Sequence, residues 1–241
     1  MAAQERKCTV ESVDMITPTT FELKFKVEPD CDFIPGQFIS IIIPGAGPNG
    51  RDLRRAYSIA STPEERPFKL CIRLVENGPG TNYLHRLKPG ETFRGFAPYG
   101  DFVYKPKADR HICFISTGTG VAPFRSMAFS KLYQEQPPRS GICLFGTTNT
   151  EELLYDEEWK SQSRVKWVVC MSRMGEEWKG YRGRVTQYMR DEMKDYDWQG
   201  AEYYLCGNGA MIDEAKKILL EKGVAPASIH QEVYYKPKAG E

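Results

Sequence analysis

Apolar and polar positions alternate through the first hundred residues, in the runs KCTVESV, TFELKFKV, QFISIII, RRAYSIAS, FKLCIRLV and TFRGFA, separated by Pro and Gly turns. Six short period-two runs predict an antiparallel six-stranded β-barrel. The character changes after Tyr104. KPKAD, from Lys105 to Asp109, reads as a linker, and beyond it the apolar runs HICFIS, GICLFG, VKWVVCMS, EYYLC and IHQEVYY alternate with helix-like stretches, one of them from Val121 to Tyr133 and another from about Ala210 to Lys222. That alternation predicts an α/β domain around a five-stranded parallel sheet. The expected division is residues 1–106 for the barrel domain and 107–241 for the α/β domain.

Composition narrows the class. With 41% hydrophobic and 27% charged residues the chain is an ordinary globular protein, and 241 residues suffice for two cored domains. A net charge of +1 gives no global reason to bind nucleic acid or a membrane surface. The N-terminal stretch MAAQERKCTV has no apolar core, and the run Phe38 to Ile43 is too short to span a bilayer, so the expectation is a cytoplasmic protein with no membrane span. No two of the seven cysteines stand at CxxC spacing, so neither a zinc site nor an iron–sulfur cluster is expected, and no metal.

Five short stretches carry chemistry. In RAYS, strand geometry puts Arg55 and Tyr57 on one face, where the cation suits a phosphate and the ring a flat heterocycle, while the Ser58 hydroxyl suits a ring nitrogen. By itself the tetrapeptide reads rather as a surface strand with an ordinary arginine and a tyrosine packed on the barrel, because four residues recur by chance. GTGVAP, Gly118 to Pro123, follows a strand and opens a helix; its glycines allow close approach, and Thr117, Thr119 and the helix start offer donors to a pyrophosphate. It is not GxGxxG, since Pro123 occupies the third glycine's place, and alone it reads equally as a glycine-capped turn. GPGTNYLHRL leads into a short helix with Thr81 as N-cap, either a second pyrophosphate site or a capped surface helix. In EYYLCGNGAM, Cys206 ends a strand where ligands of α/β sheets bind, although free cysteine is commonly just a small buried hydrophobe. HQEVYY reads as a last strand bearing Glu232 and Tyr234.

Taken in order, these stretches resemble the ferredoxin-NADP reductase superfamily of flavoproteins from about Cys8 to Tyr235. RAYS matches its RxYS flavin motif, GPGTNYL its pyrophosphate turn, GTGVAP its nicotinamide-side turn, CGNGAM its CGxxxM motif, and QEVY its terminal Glu-x-aromatic. The resemblance implies FAD and NADP as cofactors. Arg55 would contact the FAD phosphates, Tyr57 pack on the isoalloxazine and Ser58 lie near flavin N5. Ala56, Ile72, Arg73, Leu74, Gly80, Thr81 and Asn82 would complete the FAD site. Thr117, Gly118, Thr119, Gly120, Gly207 and Met211 would receive the nicotinamide nucleotide, with Cys206 beside its ring, Glu232 near the hydride-transfer site and Tyr234 on the other flavin face. Ser58, Cys206 and Glu232 are the candidate catalytic residues. The chain departs from the pattern in carrying Tyr235 to Glu241 beyond the terminal aromatic, and Ala97 for a glycine in APYGDF.

The third parallel strand ends on Ser172 and Arg173, with Arg182 and Arg184 following. Arginines there suit the 2′-phosphate of NADP, an acid the ribose of NAD, and Glu176 and Glu177 lie close by. The expected activity is an FAD-dependent NADPH oxidoreductase passing electrons singly to a separate acceptor, ferredoxin or flavodoxin. Arg51 to Lys107 holds eleven Lys and Arg against six Asp and Glu, which would steer an acidic carrier or is simply a solvated barrel surface. The alternatives are the reductase component of an oxygenase, a free-flavin or quinone reductase, or a flavin-bearing electron-transfer subunit of a larger complex.

Overall fold

The structure, a computed structural model, describes residues 3–235; residues 236–241 of the C-terminal extension and the side chains of Tyr235 and of Tyr234, assigned above to a flavin face, lie outside the described residues. The chain forms two compact units.

The first unit is the chain up to Tyr104 together with Ala122–Lys131. Its strands β1 (Gln4–Thr17), β2 (Thr20–Glu28), β3 (Phe38–Ile43), β4 (Leu53–Ser58), β5 (Phe68–Arg73) and β6 (Thr92–Tyr99) form the expected antiparallel sheet, in the order β4-β3-β6-β1-β2-β5. A bridge between Ile59 and Leu70 returns its β4 end to β5 and closes the barrel. Alternation does the work: Phe21, Leu23, Phe25 and Val27 of β2 point inward, and Phe25 meets Phe68 and Phe93 with ring centroids 5.8 and 5.2 Å apart. Outward, Lys26 pairs with Glu11 at 2.9 Å. Helix α1 (Pro79–His85) joins β5 to β6 and buries Leu84 in the barrel core.

Helix α2 (Ala122–Phe129) also belongs to this unit, with seven of its eight residues buried. The helix expected from Val121 to Tyr133 is broken in two, α2 and α3 (Lys131–Glu135). At the break, both the hydroxyl and the backbone N–H of Ser130 bond the Met127 carbonyl, at 2.8 and 3.3 Å, which draws that carbonyl out of the α-helical ladder.

The second unit comprises Lys105–Val121 and the chain from Leu132 onward. Strands β7 (His111–Thr117), β8 (Ser140–Thr147), β9 (Val165–Met171), β10 (Tyr181–Arg182), β11 (Ala201–Asn208) and β12 (Ile229–Tyr235) form a wholly parallel sheet in the order β10-β9-β8-β7-β11-β12. Six strands replace the expected five. The addition is β10, whose two residues pair with Cys170 and Met171 and are too few to carry a period. Helices α4 (Asp156–Ser161), α5 (Val185–Asp191) and α6 (Gly209–Glu221) accompany the sheet; Ile212, Ala215 and Leu219 of α6 join Cys113, Ile115 and Leu205 in its core. Among the described residues no helix is long and apolar enough to cross a membrane.

Candidate functional site

The candidate residues fall into two groups, one in each unit. In the first, the β3 register places Tyr57 opposite Ile39 and Arg55 opposite Ile41, so the two side chains share a face of β4. Helix α1 comes down on that face at Gly80. A Cβ on Gly80 would stand 2.6 Å from the Tyr57 hydroxyl and 3.2 Å from Arg55 Cγ, so any side chain there would have to push those two groups aside. Burial pushes the Tyr57 phenol up to about 12, with nearby Arg55 pulling more weakly the other way, so it remains a neutral hydroxyl. Arg55 is exposed and spends one nitrogen on the Arg54 carbonyl at 3.0 Å, leaving the rest of its fork for an anion. Ser58 ends the strand, 4% exposed, and Ala56 is exposed between Arg55 and Tyr57. On β5, Ile72 is buried and Arg73 exposed, while the Leu74 N–H donates to Thr19 at 2.8 Å.

Thr81 is not the N-cap expected. Helix α1 starts at Pro79 with Gly78 as its cap, because proline's missing N–H falls where a helix has no use for one. The Thr81 hydroxyl instead accepts from the Val75 N–H at 3.2 Å, and the Asn82 amide donates to the carbonyls of Val75, Glu76 and Gly78 at 2.8, 3.1 and 2.9 Å. Both residues brace the loop that delivers Gly80. A cation, a neutral phenol and a glycine brought together on one face are groups that suit the phosphate and flat ring of a flavin nucleotide. Gly80→Ala, which would push the Tyr57 hydroxyl and Arg55 aside, is expected to weaken FAD binding about tenfold with little change in stability, since flexible side-chain ends must shift. A flavin titration of apoprotein giving wild-type affinity would refute that geometry.

The second group surrounds the ends of β7 and β11. After Thr117 the chain makes a tight turn, Gly118–Val121. Gly118 has φ +52° and open space where a Cβ would project, so a ligand can approach its backbone. Gly120 is the opposite case: a Cβ there would run into the Cys206 carbonyl, 2.8 Å from Gly207 Cα. Gly207 in turn, at φ +130°, leaves room for Thr117, whose hydroxyl accepts the Asn208 N–H at 3.0 Å. The Asn208 side chain caps α6 through the N–H groups of Ala210 and Met211 at 2.9 and 3.4 Å. Registers bring Cys206 beside Ser116 on one side and Glu232 on the other. Cys206 is wholly buried, and Glu232 and Thr119 are half-buried. Asn208, absent from the sequence-derived set, is legible as the Asn before a helix that opens Gly-Ala-Met.

At the end of β9, Ser172 is held to β8 by its N–H and hydroxyl on the Thr147 carbonyl, at 3.1 and 3.4 Å, and the Arg173 N–H donates to Thr148 at 2.7 Å. The Arg173 side chain is exposed. Arg182 is engaged locally: one nitrogen donates to the carbonyls of Gly175, Glu176 and Trp178 at 3.2, 2.9 and 3.2 Å, bracing the loop between β9 and β10. Arg184 is the N-cap residue of α5, its N–H bonded to Gln187 at 2.7 Å. Among the described residues no cluster of three or more His, Cys, Asp or Glu is arranged to hold a metal.

Comparison with known proteins agrees with this division. A family described as the oxidoreductase FAD-binding domain matches residues 7–104, and one described as the oxidoreductase NAD-binding domain matches residues 114–217. Ferredoxin–NADP reductase B of Sorangium cellulosum is 31% identical over 244 residues, which cover 96% of this chain and 98% of that protein. The anthranilate 1,2-dioxygenase electron transfer component of Acinetobacter baylyi is 30% identical over 93% of this chain, which spans 66% of its length. Among solved structures, a ferredoxin NADP+ reductase from Neisseria gonorrhoeae with bound FAD and NADP superposes with a TM-score of 0.83 at 18% identity, covering 98% of this chain and all of that one. A cytochrome P450 reductase from Amycolatopsis gives the same score at 24% identity, over 96% of this chain and 70% of its own. At these identities the structural likeness speaks for the fold.

Proposed function

This chain belongs to the ferredoxin–NADP reductase family of FAD-dependent pyridine-nucleotide oxidoreductases, and from that premise we propose that it oxidises NADPH and delivers the electrons one at a time to a separate acidic carrier, ferredoxin or flavodoxin. Bound FAD supplies the conversion between two-electron and one-electron chemistry. The protein supplies placement. Arg55 neutralises the FAD phosphates where Gly80 admits them, and the neutral Tyr57 phenol lies against the ring. The Gly118–Val121 turn takes the nucleotide's pyrophosphate, Cys206 walls the nicotinamide pocket, Glu232 holds or passes a proton there, and Ser58 does so at the flavin ring.

The observation that carries NADPH over NADH is the end of β9, where Ser172 is fixed by Thr147 and the exposed Arg173 follows it at once, with no acid at that position. A guanidinium pairs with a 2′-phosphate and gains nothing from a ribose hydroxyl pair. The excess of eleven basic over six acidic residues from Arg51 to Lys107 favours an acidic partner.

Anaerobic titration tests the reading: low-micromolar NADPH should bleach the flavin and NADH should need far more. Arg173→Met should lower kcat/KM for NADPH by about ten- to a hundredfold, the worth of one charge-assisted pair, and leave NADH nearly unchanged. Equal losses with both nucleotides would assign Arg173 elsewhere.

A further inference from the structure

A buried arginine needs a built partner. Arg125, in α2, is 4% exposed, and its guanidinium forks onto Glu65, Nη1 to Oε2 at 2.9 Å and Nη2 to Oε1 at 3.1 Å. Nη1 also donates to the Ala60 carbonyl at 2.7 Å. Glu65 further accepts the Thr62 N–H at 2.7 Å and faces the Lys69 ammonium at 3.3 Å. Burial pushes the Glu65 carboxyl up, but these donors outweigh it and hold it at about 2, so the pair stays ionised at any working pH.

Its location is more telling than its strength. Ala60 and Thr62 lie just beyond Ser58, the end of the flavin strand, and Arg125 lies within the first turn after the glycine turn that ends at Val121. Helix α2 has no need of an ion pair to stay buried, since Phe124 already meets Phe102 at a 6.1 Å centroid distance and Met127 reaches the space above Gly36. Apolar contact, however, does not fix rotation or sliding, and a bidentate fork does.

We propose that Arg125, through its fork on Glu65 and its bond to Ala60, is a positioning residue that locks the backbone just beyond the flavin strand to α2 and so holds the Ser58 end of that strand in place, so that it governs the rate of flavin reduction by bound nucleotide rather than the affinity for either cofactor. The assignment rests on the proposed reading that NADPH reduces the bound flavin.

The test is anaerobic stopped-flow bleaching of holoprotein by a range of NADPH concentrations, in wild type, Arg125→Gln and Glu65→Gln, with amide hydrogen exchange of residues 59–66 and 118–129 read on the nucleotide-free protein. In both variants the limiting rate should fall by about ten- to a hundredfold, the cost of sub-ångström to ångström misplacement, with half-saturation within about threefold, FAD content unchanged and both segments exchanging faster. Should Arg125→Gln not fold, Arg125→Lys, which keeps the charge and loses the fork, is expected to show the same split. A limiting rate within about twofold of wild type, or a loss accounted for by weaker FAD or NADPH binding, overturns the assignment. A wild-type protein that neither nucleotide bleaches overturns the proposed function and this assignment together, whereas normal bleaching by Arg125→Lys overturns this assignment alone.

Discussion

An alanine at position 120 is expected to cut flavin reduction at low NADPH concentration by about a hundredfold, the kinetic equivalent of about 3 kcal/mol of overpacking, while FAD stays bound. The added methyl would meet the backbone of β11 rather than a movable side chain: the Cys206 carbonyl, its carbon at 2.6 Å and Gly207 Cα at 2.8 Å. That strand cannot recede, because β7 and β12 flank it on both sides. The turn must lift instead, carrying its N–H groups away from the phosphate they would bind. Gly118→Ala is the contrasting variant. Nothing lies within 4 Å of its Cβ position, so its cost is the left-handed φ of +52° alone, about 1–2 kcal/mol and a roughly tenfold loss. Stopped-flow rates in the two variants check the ordering, and a Gly120→Ala protein with wild-type NADPH affinity would mean that the turn is not seated on Cys206.

What the sequence made legible follows from the range of the interactions involved. Period-two runs sufficed for all six barrel strands, because each buries one face and the other meets water. The five longer parallel strands were legible as apolar runs, while β10 was not, since Tyr181 and Arg182 become a strand only by pairing with Cys170 and Met171. The glycines announced themselves where a side chain would collide: Gly120 against Cys206 is visible in sequence as a glycine between a strand and a helix, and Gly80 against Tyr57 as a glycine in the first turn of α1. Thr81 misled because a hydroxyl just before a helical run signals a cap, and Pro79, two residues earlier, had already begun the helix. Arg182 stood in the sequence as a phosphate ligand, and its commitment to three carbonyls of the loop before it depends on a fold that local pattern does not encode. The Arg125–Glu65 pair was out of reach for the same reason. Its partners are sixty residues apart and each looks like an ordinary surface charge.

Glu202 offers the largest expected effect on stability. Its side chain, 4% exposed at the start of β11, receives Lys107 and Arg110 on Oε1 at 2.9 and 2.8 Å and His230 on Oε2 at 2.9 Å. A carboxylate only accepts, so His230 Nε2 carries its proton toward it. Arg110 meanwhile reaches the carbonyls of Gln199 and Ala201 at 2.9 and 2.8 Å. The carboxylate therefore gathers Lys107 and Arg110, ahead of β7, and the starts of β11 and β12 around one charge. Glu202→Gln keeps the shape and removes that charge, leaving the partly exposed Arg110 and the more exposed Lys107 without their counterion. The expected loss is about 1–3 kcal/mol, a fall in Tm of about 5 °C for a chain of this size, with the FAD site intact. The pH dependence carries a second signature. Burial pushes the Glu202 carboxyl up, but its bonds from His230, Lys107 and Ser228 bring it below the ordinary 4.5. A group with a depressed folded pKa contributes stability above its unfolded value and loses it as pH falls, so the wild type should weaken between about pH 5 and 3, and Glu202→Gln should show a shallower acid limb over that window. Glu65, held at about 2, adds to the same limb in both proteins. Thermal melts from pH 7.5 to 3.5 decide the matter: equal Tm values at neutral pH, or parallel acid limbs, would show that Glu202 is not the charge around which this end of the domain is built.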